Sequence, residues 1–125
     1  MGSDVPERYY TVEEANASLA ELRGSLARIR RARRSLIGSA RRIRKRASAD
    51  GEAAEHWEAL RVLREEVEAL AARSVVLRDA EKGLIDFPSR REGRLVYLCW
   101  QPDDEDAVGY WHEAGAGFSG RKPLD

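Results

Sequence analysis

His112 is one of only two histidines in the chain, and the residue after it, Glu113, is a carboxylate. Three further carboxylates, Glu14, Glu81 and Asp86, fall where the expected chain path meets the same end of the molecule. An imidazole surrounded by carboxylates is a donor set for a divalent iron, manganese or zinc ion in a helical scaffold. Glu81 strengthens the case, because it falls on the apolar seam of its expected helix. A carboxylate placed there needs a cation, hydrogen bonds or a proton. The candidate metal ligands are therefore His112, principally, with Asp86, Glu81 and Glu14, while Arg121 is the candidate to hold an anionic ligand. The competing reading uses the same residues without a metal. Arg78, Lys82 or Arg121 can pair with Glu81, Asp86 can cap a turn before Phe87-Pro88, and Glu14 has a use as a helix cap. Neither Glu-x-x-His nor His-x-x-x-His occurs in the chain.

Other chemistry-bearing residues read more simply. His56 beside Trp57 suits a half-exposed packing position. Cys99 is the single cysteine, which excludes an internal disulfide and any multi-cysteine zinc site within one chain. Inside an apolar run it reads as an inert thiol. Tyr97, Trp100, Tyr110 and Trp111 read as core or interface aromatics. The glycines at 115, 117 and 120 lack the spacing of a phosphate loop.

The elements that must position these residues start at Thr11-Val12-Glu13-Glu14, a capping box with Tyr10 ahead of it. Apolar or small residues then recur at Ala15, Leu19, Leu22, Leu26, Ile29, Leu36, Ala40 and Ile43, which predicts helix 1 over 11–48, about 50 Å long. A turn at Ser48-Ala49-Asp50-Gly51, with Asp50 as N-cap, leads into a second seam through Leu60, Leu63, Val67, Leu70, Ser74, Leu77 and Leu84. This predicts helix 2 over 50–83, ended by Gly83 and Pro88. Leu95-Val96-Tyr97-Leu98-Cys99-Trp100 and Val108-Gly109-Tyr110-Trp111-His112 predict a β-hairpin over 94–113. Its loop of about six residues would put Leu95 opposite His112. Residues 114–125 form an irregular tail.

The expected fold is thus mainly α (α+β), a single domain over 1–125. It is a long antiparallel two-helix hairpin followed by a small C-terminal β-hairpin. Two helices have no third layer to cover their seam, so a homodimer forming a four-helix, coiled-coil-like bundle is the expected completion. Charge agrees with helices lying side by side. The chain carries 22 basic and 22 acidic side chains, yet residues 11–48 hold eleven basic against three acidic and residues 50–81 nine acidic against four basic. The arginine-rich helix 1 could neutralise a nucleic-acid backbone. Those acidic groups alongside, and the lack of interleaved aromatics, make nucleic acid the weaker reading. No apolar run is long enough to span a membrane, and the first residues hold no signal-like apolar stretch, so a cytoplasmic protein is expected.

Four motifs resemble one family. They are Glu7-Arg8-Tyr9-Tyr10-Thr11-Val12-Glu13-Glu14-Ala15-Asn16, Lys82-Gly83-Leu84-Ile85-Asp86-Phe87-Pro88, Val96-Tyr97-Leu98-Cys99-Trp100, and Trp111-His112-Glu113 with Gly117-Phe118-Ser119-Gly120-Arg121. Together they look like the family known as domain of unknown function 2203, over Glu7 to Leu124. The resemblance implies a small bacterial cytosolic protein and carries no activity, substrate or cofactor across. Three functions remain: a dimeric structural or interaction module first, a divalent-metal protein or metalloenzyme second, and nucleic-acid binding through helix 1 third.

Overall fold

The computed structural model describes residues 5–45 and 50–124. Two helices, α1 (Val12–Lys45) and α2 (Asp50–Ala72), precede five strands: β1 (Val76–Asp79), β2 (Leu84–Arg91), β3 (Arg94–Trp100), β4 (Tyr110–Glu113) and β5 (Lys122–Pro123). The strands form one antiparallel sheet in sequence order. The turn expected at residues 48–51 falls largely on residues 46–49, outside those described, as does the side chain of Asp50.

α1 starts as a reciprocal cap. The Thr11 amide donates to Glu14 Oε1 at 2.9 Å and the Glu14 amide to Thr11 Oγ1 at 3.0 Å. Its seam, Ala15, Leu19, Leu22, Leu26 and Ile29, is buried in one core with Leu70, Ile85, Phe87, Val96, Leu98, Trp100 and Trp111. Ion pairs join α1 to α2 and the residue after it: Arg42 with Glu55, Arg28 with Glu66, and Arg73 with Glu21.

The expected architecture is corrected in three places. Helix 2 ends at Ala72 instead of continuing to residue 83. Ser74 takes a left-handed conformation (φ 62°), the Val75 amide donates to the Leu70 carbonyl and the Ser74 amide to the Ala71 carbonyl, each at 3.0 Å. That pair of bonds closes a helix at its C-terminus, and buried Val75 meets Leu70 across it. The residues beyond form β1, and Gly83 (φ 71°) belongs to the β1–β2 turn. Second, Pro88 does not stop an element but lies within β2. Its carbonyl accepts from the Tyr10 amide at 2.7 Å, on the edge of β2 beyond the last residue paired with β1. A proline nitrogen on that edge removes no sheet hydrogen bond.

Third, the β segment is not an isolated hairpin. β3 lies between β2 and β4, the connection after β3 spans 101–109, and His112 pairs with Tyr97, two residues from the expected Leu95. The 114–125 tail contains a short 3-10 turn, Phe118–Gly120, and β5. A helix-dominated dimeric bundle is therefore not the architecture. The sheet is the layer that covers the helix seam within one chain, which removes the argument that called for a second copy.

Candidate metal centre

Side chains alternate across a strand. Ile85 and Phe87, Val96, Leu98 and Trp100, and Trp111 face the helices. Asp86, Cys99 and His112 therefore share the opposite face. Asp86 pairs with Cys99 across β2 and β3, and His112 comes from β4 on the far side. Cys99 is short, so Asp86 and His112 reach each other over the middle strand. All three are only 1% exposed, and one ligand atom from each lies within 4.8 Å of the others.

The surrounding hydrogen bonds fix how these groups are held. His112 Nδ1 is 2.7 Å from the Glu113 carbonyl oxygen, which can only accept, so that nitrogen carries a proton. Its Nε2 lies 2.9 Å from Asp86 Oδ2, which also accepts from Arg78 Nε at 2.7 Å. Tyr97 stacks on the imidazole at 5.6 Å between centroids, and the Arg78 guanidinium lies over the Tyr97 ring at 5.1 Å. Asp86 Oδ1 is buried without a hydrogen-bond partner. Burial above all, and then the Asp86 charge, push the Cys99 thiol up to about 12, with the Arg121 guanidinium pulling the other way.

Arg121 closes this end of the site. Its Nη2 donates to Asp104 Oδ2 at 2.8 Å and its guanidinium lies 3.9 Å from the Tyr110 ring centroid and 4.6 Å from that of Phe118. Its Nε is buried and unpartnered.

Two of the four ligands expected from the sequence are thus brought together, and two are not. Glu14 is held in the α1 cap. Glu81 is bound by Arg30, Arg33 and Arg34. Glu113 turns to Arg94, Nη2 to Oε2 at 2.6 Å. His56 Nδ1 lies 2.8 Å from Ser39 Oγ, and its ring is edge-on to Trp57. The candidate ligand that sequence reasoning missed is Cys99. Its signal was Glu92-Gly93, both at positive φ, which makes a two-residue β-turn and sets the register that puts Cys99 opposite Asp86.

The donor set fits a borderline transition metal. Thiolate and imidazole select zinc or ferrous iron over manganese, and three protein ligands leave one coordination position open. The Nδ1 bond to a backbone carbonyl is the outer support that metal-bound histidines commonly have.

The five-stranded meander backed by two helices, with this polar triad on its outer face, defines a small α+β domain. The chain belongs to the DUF2203 family of uncharacterised conserved proteins, whose model matches residues 8–124. No curated protein and no solved structure gives a significant match. Among the described residues no helix is long and apolar enough to cross a membrane.

Proposed function

We propose that this protein binds one divalent transition-metal ion, zinc or ferrous iron, through His112 Nε2, Cys99 Sγ and the Asp86 carboxylate. The observation that carries this reading is the convergence of three fully buried donor atoms from three strands within 4.8 Å. Charge supports it. With metal, the ion's two charges stand against one carboxylate and one thiolate. Those two negative ligands balance the ion, and Arg78, which pairs with Asp86, keeps its side chain 42% exposed to solvent, so the bound ion strands no buried charge. The unpartnered Asp86 Oδ1 supplies a free lone pair for the ion.

The test is metal analysis of protein purified without chelator and of protein reconstituted with zinc or cobalt. The expected result is about one equivalent per chain, with thiolate-to-cobalt charge-transfer absorption that Cys99→Ser abolishes. His112→Ala loses the metal, and circular dichroism checks that each variant is folded. A wild-type protein that takes up neither metal overturns the proposal, and Arg78, Asp86 and His112 then act as a hydrogen-bonded network joining β1, β2 and β4.

A further inference from the structure

A second site lies between α1, the β1–β2 turn and the 101–109 connection, in a cleft of about 730 Å³. Arg23, Arg30, Arg31, Arg34 and Lys82 line it against two carboxylates, Glu81 and Asp103. The arginines follow one stripe of the helix, and Ala27 in its middle leaves the space open. Into this stripe the β1–β2 turn delivers Glu81. Arg30 Nε reaches its Oε2 and Arg33 Nη1 its Oε1, each at 3.1 Å, while Arg34 donates through both Nε and Nη2. The Arg34 hydrogen bond above all holds the Glu81 carboxyl below its usual range.

One negative charge therefore occupies three guanidiniums. The Glu81 side chain is 37% exposed, and solvent-exposed ion pairs are individually weak, so a more highly charged anion can displace it. Among the described residues, Arg31 and Lys82 make no ion pair, which leaves further positive charge at the cleft.

We propose that this cleft binds a small compound carrying two adjacent phosphoryl groups. One phosphoryl replaces the Glu81 carboxylate on Arg30, Arg33 and Arg34, and the other is met by Arg31 and Lys82. Guanidinium forks match phosphate oxygens in pairs, which a single carboxylate shared by three arginines does not exploit fully. A nucleic acid is the poorer occupant. No aromatic side chain lines the cleft for bases to stack on, and Asp103 within it and Asp106, paired with Arg23 beside it, oppose a continuous phosphate backbone.

Titration calorimetry of the full chain with inorganic pyrophosphate tests this. Wild type binds, Glu81→Gln binds about tenfold more tightly, and Arg34→Gln binds about tenfold more weakly, the scale of one charge-assisted hydrogen bond. Orthophosphate binds more weakly than pyrophosphate to all three. Arg34 is exposed and Glu81 half-exposed, and melting curves check that both variants are folded. Absence of pyrophosphate binding at millimolar concentration in both wild type and Glu81→Gln overturns the proposal, as does binding indifferent to Arg34. A DNA duplex that binds more tightly than pyrophosphate at about 0.15 M salt also overturns it and assigns the stripe to nucleic acid. None of the substitutions touches the Asp86, Cys99 and His112 cluster, so this result is independent of metal binding.

Discussion

Cys99 has two expected behaviours, an inert thiol without metal and a ligand in the proposed metal site. In metal-free protein the thiol is buried beside a carboxylate, and its pKa is pushed up to about 12 from an ordinary value near 9. Cysteine reactivity follows the thiolate, so Cys99 in metal-free native protein resists alkylation at pH 8 and reacts readily in urea. A raised folded pKa contributes stability that is present below the unfolded value and is lost as pH rises through the folded one. The expected signature is a fall in the stability of metal-free wild type between about pH 9 and 12 that is shallower in Cys99→Ser. Denaturant melts at stepped pH measure it, and parallel pH profiles for the two proteins would contradict it. Bound metal inverts this behaviour, because coordination deprotonates a thiol outright.

At the scale of elements, the turns and helix ends decide where the chemistry goes. Gly83 holds φ at 71°, and a Cβ there would lie 3.0 Å from Pro102 Cδ, so a side chain meets both backbone strain and a ring it cannot easily move. Gly83→Ala is expected to lower stability by about 1–3 kcal/mol, from the left-handed conformation and the overpacking together. It should also weaken pyrophosphate binding in the Glu81→Gln background, where the competing carboxylate is gone and the turn's remaining contribution to the cleft is Lys82. Urea denaturation checks the first effect, and a loss below about 0.5 kcal/mol would show that the turn relaxes freely.

The same elements explain what could be read from sequence. α1 was legible because its capping box and its three- and four-residue spacing agree, and β3 because six apolar residues in a row suit a buried strand. The end of α2 was not. Leu70, Ser74 and Leu77 continue a helical spacing across the chain's actual break, and Ser74 stands where a glycine would have announced it. With β1 and β2 assigned to a helix and a loop, Asp86 had no strand partner. Cys99 then had no reason to stand beside it. All four expected ligands were drawn together by one supposed convergence at the end of a helical hairpin; Asp86 and His112 meet because they lie on strands of one sheet, whereas Glu14 and Glu81 are held elsewhere.

For the molecule as a whole, the two faces of the sheet do different work. The inner face joins the helices through an apolar core that ends near Ile29 on α1 and Leu63 on α2. Beyond it, among the described residues, the two helices bury little besides Ala32, Ser39 and Ala59, and Ile37 and Trp57 are exposed. The outer face ties β2, β3 and β4 together through Asp86, Cys99 and His112, with Arg78 adding β1. A metal ion bound there stabilises any state in which those strands remain joined, and only those. At a free metal concentration a hundred times Kd the gain is about 2.7 kcal/mol, roughly a hundredfold in exchange rate for amides that open only when the sheet does. The far halves of the helices can open without breaking the site. Hydrogen exchange with and without zinc should therefore slow across residues 84–100 and 110–113 and stay unchanged in residues 36–42 and 53–60. Equal slowing in both regions would mean that the helices and sheet unfold as one unit. No slowing in the strands would mean that the ion does not hold them, and the site on the outer face would lose its structural role.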